Sequence, residues 1–75
     1  MAAAYVLIEV ARKKALQACT KIAKIPGVKS AHPITGPYDI IALVGAKDPG
    51  AIGKLVLSWI QAVPGVGKTI TCVVV

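Results

Sequence analysis

Lys24-Ile25-Pro26-Gly27-Val28-Lys29 returns in altered form as Ala62-Val63-Pro64-Gly65-Val66-Gly67, and this echo decides the fold. Proline cannot continue a helix and glycine turns freely, so each Pro-Gly closes one element and each valine opens the next. Before the first copy, Leu16, Cys19, Ile22 and Ala23 recur at three- and four-residue steps, with Lys13, Gln17, Lys21 and Lys24 off that stripe. This period predicts an amphipathic helix over residues 12–24. Before the second copy, Ile52, Leu55, Val56, Trp59 and Ile60 form a similar stripe, and Trp59 reads as core. Asp48-Pro49 supplies the start signal of this second helix, an N-cap followed by proline at the first helical position.

Strands flank both helices. Residues 4–10 (AYVLIEV) and 38–47 (YDIIALVGAK) are rich in β-branched and large apolar side chains. Residues 28–35 form a weaker strand, demoted by Pro33 to an edge or bulged position. Residues 68–75 (KTITCVVV) set Thr69 and Thr71 against Ile70 and Cys72. Strand–helix–PGV–strand thus occurs twice, which is the split βαβ plan. The expectation is an α+β, ferredoxin-like βαββαβ domain, with a four-stranded antiparallel sheet and both helices on one face.

The other face of that sheet should be polar, and it is not. Val6, Ile8 and Val10 lie on one side of the first strand, yet Tyr5 and Leu7 lie on the other; Ile40, Ala42 and Val44 likewise oppose Ile41 and Leu43. At roughly 25 cal/mol per Å² of apolar area, leaving such a face wet forgoes several kcal/mol. A loss of that size rivals the whole stability of a small domain. The economical remedy is a second copy packed sheet to sheet, a homodimer closing a dimeric α/β barrel.

Composition narrows the remaining classes. Seventy-five residues make one domain, residues 1–75. Hydrophobic residues are 56% of the chain and mean hydropathy is +0.73. No apolar run approaches the roughly 18 residues that span a bilayer, and the start lacks the basic leader of a signal peptide, so a cytoplasmic protein with no membrane partner is expected. Cys19 and Cys72 have no CxxC or Cys/His spacing, so no metal is expected, and both read as reduced, buried small hydrophobes, with a disulfide as the alternative. His32 is the sole histidine and reads as a strand-surface residue. One histidine and three acids (Glu9, Asp39, Asp48), with no nucleophile or phosphate-loop motif, point away from an enzyme and from any cofactor. The net charge of +6 admits nucleic-acid contact, but the lysines are dispersed apart from Arg12-Lys13-Lys14. That run, at a helix start, opposes the helix dipole and is either a solvated end or a partner-facing patch.

Ile34-Thr35-Gly36-Pro37-Tyr38-Asp39-Ile40-Ile41 resembles the TG-x-YD turn of the effector domain in the leucine-responsive/asparagine (Lrp/AsnC) regulators. Pro64-Gly65-Val66, Thr69, Thr71 and the apolar end resemble that domain's last turn and strand, so the likeness covers nearly the whole chain. Regulators of this family carry a helix-turn-helix ahead of the domain. Here the first strand starts almost at Met1, so the chain resembles the stand-alone effector modules. The resemblance implies a dimeric α/β barrel, dimers assembled into octamer-like rings, an amino-acid effector bound between dimers near the turn, and a full-length Lrp/AsnC-type regulator as partner. Direct DNA binding is not implied, because neither helix can be spared from the core to enter a groove.

Under that resemblance Asp39 takes the ligand ammonium, against the alternative of an Asx-type turn stabiliser. Gly36 lets main-chain N–H groups meet the ligand carboxylate, or is a plain turn glycine, and Pro37 removes one donor from the turn. Tyr38 walls the pocket or packs at the interface. Thr35 completes the turn, and Thr69 and Thr71 donate to the ligand side chain or are ordinary strand residues. Two rival readings stay open: a basic nucleic-acid-binding module, and a purely structural oligomerisation unit.

Overall fold

The computed structural model describes residues 1–11 and 13–75. Its elements run β1 (Ala2–Val10), α1 (Ala15–Ala23), β2 (Val28–Pro33), β3 (Ile40–Ala46), α2 (Pro49–Leu55), a π-helical turn (Val56–Ile60) and β4 (Val66–Val73). The four strands form one sheet in the order β2-β3-β1-β4, with all three pairings antiparallel. The split βαβ plan is therefore the fold. In the single chain the sheet is open, with β2 and β4 as its edges.

Both Pro-Gly turns are built alike. Gly27 has φ +96° and Gly65 φ +92°, a left-handed conformation that other residues adopt only under strain. β2 carries the bulge expected of a proline-containing edge strand, its register slipping between Val28 and Ser30. The Asp48 side chain accepts from the Ala51 N–H at 2.8 Å, with Pro49 opening α2, as the sequence signals. Helix α1 begins at Ala15, later than the period predicts, and has no side-chain N-cap. Lys13 and Lys14 therefore precede it, while Arg12 lies outside the described residues.

The core joins alternate strand residues Ala4, Val6, Ile8, Ile40, Ala42 and Val44 to Ala18, Cys19 and Ile22 of α1 and Ile52, Leu55, Val56 and Ile60 from α2 and the π turn. One cluster receives both helices, so both lie on the same sheet face. Two expected core stripes are narrower than the sequence period implies. In α1, Leu16 is 73% exposed and Ala23 is also exposed. Beyond α2, Trp59 is 55% exposed rather than buried. The reason is the π turn: the Gln61 N–H donates to the Val56 carbonyl at 2.9 Å, five residues back. That wider turn brings Ile60 over the sheet in place of Trp59.

The opposite face keeps its apolar character without cover. Directly paired residues of antiparallel strands share a face. The pairs Tyr5–Leu43, Leu7–Ile41, Tyr5–Cys72 and Leu7–Ile70 therefore lie together on the side away from the helices. Tyr5 is 46% and Ile70 40% exposed, and Leu7, Ile41 and Leu43 are half-buried. Cys72 is exposed on this face, which corrects its reading as a buried hydrophobe, whereas Cys19 is buried in α1 as expected. Burial pushes the Cys19 thiol above its usual range.

Candidate functional site

The segment from Ile34 to Asp39 joins β2 to β3 at the end of the sheet where β1 finishes. Backbone bonds close it: the Ile34 N–H donates to the Asp39 carbonyl at 2.8 Å, and the Asp39 N–H donates to the Ile8 carbonyl at 2.9 Å. Gly36 has φ +140°, and a Cβ placed on it would meet nothing within 4 Å. Glycine is thus required here by conformation and not by crowding, and open space lies beside the turn. Thr35, Gly36 and Pro37 are exposed; Tyr38 and Asp39 are half-buried. Beside them lies an open depression of about 530 Å³ lined by Pro33, Ile34 and Thr35.

Asp39 has a structural partner that sequence reading missed. Its Oδ2 accepts the Val10 N–H at 2.8 Å. A carboxylate has acceptor capacity for several donors, so this bond leaves Oδ1 available. Asp39 thus fastens the turn to the end of β1, a role beyond an Asx-type bond within the turn. No local pattern could have shown this, because the two residues are 29 positions apart.

Thr69 sits opposite Ile8 in β4, on the far side of β1 from the turn. It shares the helix-side face with Ile8 and accepts from Gln61 Nε2 at 2.9 Å. Thr71 sits opposite Val6, one step further from the turn, and is exposed. The structure therefore gathers Thr35, Gly36, Tyr38 and Asp39 into one turn. It sets Thr69 across β1 from them and leaves Thr71 more distant. Pro33 and Ile34 line the depression without having been singled out, and proline in a weak strand was their only signal. His32 is exposed on edge strand β2, opposite Ile41, in the surface position expected of it. Among the described residues, no group of three His, Cys, Asp or Glu side chains could hold a metal, and no helix is long and apolar enough to cross a membrane.

An open four-stranded sheet with two helices on one face, and a glycine turn beside an open depression at the sheet's end, defines a ferredoxin-like α+β domain. The profile of the Lrp/AsnC ligand binding domain matches residues 3–75, and the chain belongs to that family. A helix-turn-helix transcriptional regulator of Pyrococcus furiosus is 42% identical over 53 residues, covering 71% of this chain and 35% of the relative. A homocitrate synthase of Sulfurisphaera tokodaii is 43% identical over 54 residues, covering 72% of this chain but 12% of the enzyme. The chain thus spans about a third of the regulator it matches, and a smaller part of the enzyme. Among solved structures, a Thermus thermophilus protein superposes with TM-score 0.94 at 33% identity, covering 100% of this chain and 94% of that one. A Neisseria meningitidis transcriptional regulator, solved as its L-Met complex, shares the fold with TM-score 0.85 at 22% identity, covering 99% of this chain and 49% of that one.

Proposed function

We propose that this regulatory-family domain is an amino-acid sensor that works as a homodimer, with dimers assembling into octamer-like rings, and that it acts on a full-length Lrp/AsnC-type regulator. One observation carries the reading: the Thr35–Asp39 turn combines a left-handed glycine, a threonine and a carboxylate with one oxygen unbonded among the described residues, and an open depression of about 530 Å³ lined by Pro33, Ile34 and Thr35 adjoins it. An amino-acid ligand needs an anion for its ammonium and donors for its carboxylate. Oδ1 of Asp39 serves the first, and the main-chain N–H groups around Gly36, with the Thr35 hydroxyl, serve the second. Tyr38 walls the site, while Thr69 and Thr71 stand across β1 from this turn within the chain. The Neisseria relative's L-Met complex supports this ligand class. Similarity to both a transcriptional regulator and a biosynthetic enzyme supports a module that senses and does not catalyse.

The homodimer rests on the uncovered face of Tyr5, Leu7, Ile41, Leu43 and Ile70, which a second sheet would dry. Base stacking on this face is poorly served, because only Tyr5 and the edge-strand His32 offer rings among its described residues and Ile41 and Leu43 occupy the middle strand.

Thermal-shift measurement against the twenty standard amino acids tests the sensor. A ligand at about one hundred times its Kd stabilises by roughly 2.7 kcal/mol. In a domain this small, each kcal/mol moves Tm by roughly 4–8 °C. One or a few amino acids should produce a concentration-dependent rise. A ring that assembles but responds to none of them is the structural-unit reading instead.

A further inference from the structure

Val10 and Ala11 stand where three segments meet. The Val10 N–H is held by Asp39 Oδ2 at 2.8 Å, and so by the proposed effector turn. The Ala11 N–H donates to the Gly65 carbonyl at 2.8 Å, and so to the second Pro-Gly turn. The Ala11 carbonyl accepts the Lys14 N–H at 3.0 Å, and the Lys14 carbonyl accepts the Ala18 N–H at 2.9 Å, inside the first turn of α1. Packing reinforces these bonds. A Cβ on Gly65 would come within 3.1 Å of the Lys14 Cβ and 3.6 Å of Val10 Cγ1, so turn, strand end and helix entrance are in close contact. The last β1–β3 pair is Ile8–Ile40, so the Val10 N–H, on the β3 side of β1, lies past the end of that ladder and is met by the carboxylate instead. Lys13, in the middle of the entrance, has φ +69°, a left-handed conformation that costs a non-glycine residue about 1 kcal/mol or more and persists only when its surroundings impose it.

We propose that Asp39 is a positioning residue that couples the effector turn to the entrance of α1, through Val10, Ala11 and the Gly65 turn. One carboxylate oxygen holds β1, and the other is the acceptor that the sensor reading assigns to the ligand. A charge arriving at Oδ1 redistributes the carboxylate that Val10 depends on, and the change reaches Ala11, Gly65 and Lys14 through the bonds above. The effector site then reports to the chain leading into α1. This inference rests on the sensor reading for its ligand, but the coupling itself is a property of the free chain.

The test is amide hydrogen exchange on the full chain, followed by NMR, for the native protein, Asp39→Asn and Asp39→Ala, first without ligand and then with each of the twenty amino acids. Without ligand, Asp39→Ala should speed exchange at Val10 at least tenfold and also at Ala11, Gly65 and Lys14, while Ala51 at the α2 cap stays within twofold. Asp39→Asn keeps an oxygen acceptor and should hold Val10 within threefold of the native rate. Global destabilisation would raise Ala51 equally, which separates the coupling from a merely structural loss. Unchanged exchange at Val10, Ala11, Gly65 and Lys14 in Asp39→Ala overturns the coupling whatever binds. With ligand, an amino acid that shifts the turn amides should also shift Ala11, Gly65 and Lys14, and Asp39→Asn should weaken its binding at least tenfold. A ligand that moves the turn and leaves those three amides still overturns the proposal. If no amino acid binds, the sensor reading fails and the ligand-free rates alone decide the coupling.

Discussion

The two faces of the central strands are made of nearly the same residues and live in different surroundings. Val6, Ile8, Ile40 and Val44 are fully buried under the helices, while their sequence neighbours Leu7, Ile41 and Leu43 are only half-buried and Tyr5 is 46% exposed. Residue type therefore does not decide burial here; the layer that lies on top does. An apolar face without a layer is a surface awaiting one, and a monomeric domain rarely leaves such a face exposed.

The comparison is broken most forcefully from the covered side. Ile8→Ala should lower stability by roughly 2–5 kcal/mol, from lost transfer energy and the cavity left behind, as read by urea denaturation. Leu43→Lys sharpens the contrast, because it charges the uncovered face and leaves the helix-side core intact. It should lower the sedimenting mass, through loss of the sheet-to-sheet dimer, while the chain keeps its native circular dichroism. A wild-type chain already sedimenting as a folded monomer at micromolar concentration would remove the homodimer.

The two cysteines report the same difference chemically. Cys19 should react slowly with a thiol reagent at pH 8 in every variant, because burial limits access and raises its pKa, leaving little thiolate. Cys72 lies on the uncovered face, so under the proposed homodimer it should react several-fold faster in Leu43→Lys than in the native protein. Equal rates in the two proteins would mean that nothing covers that face.

Smaller effects come from the helix layer. Asp48→Ala should cost about 1 kcal/mol, the usual worth of a side-chain N-cap, measured by thermal unfolding. Trp59→Ala should stay within roughly 0.5 kcal/mol, because the π turn has already moved the indole out of the core. A loss of several kcal/mol would instead return Trp59 to the buried stripe.

The candidate site was legible in part. Thr35, Gly36, Tyr38 and Asp39 stand together in the sequence, and a turn that needs left-handed glycine keeps them together in space. Thr69 is placed by β-pairing opposite Ile8, which local pattern does not specify. Gln61, its hydrogen-bond donor, carries no motif at all. Asp39's grip on Val10 was equally hidden, since it depends on the β1–β3 ladder ending at Ile8–Ile40, which leaves the Val10 N–H without a strand partner on that side.

By itself the sequence determined the elements and their order, because proline, glycine, the Asp48 cap and apolar periods act over one to four residues. It also determined that both faces of β1 and β3 are apolar, since strand alternation puts successive side chains on opposite sides. Only the tertiary structure decided which of those faces the helices cover, where the π turn rotates Trp59 outward, and which backbone N–H the Asp39 carboxylate holds. Those outcomes depend on contacts between residues far apart in the chain, whose energies are fixed by the assembled layers and not by any local stretch.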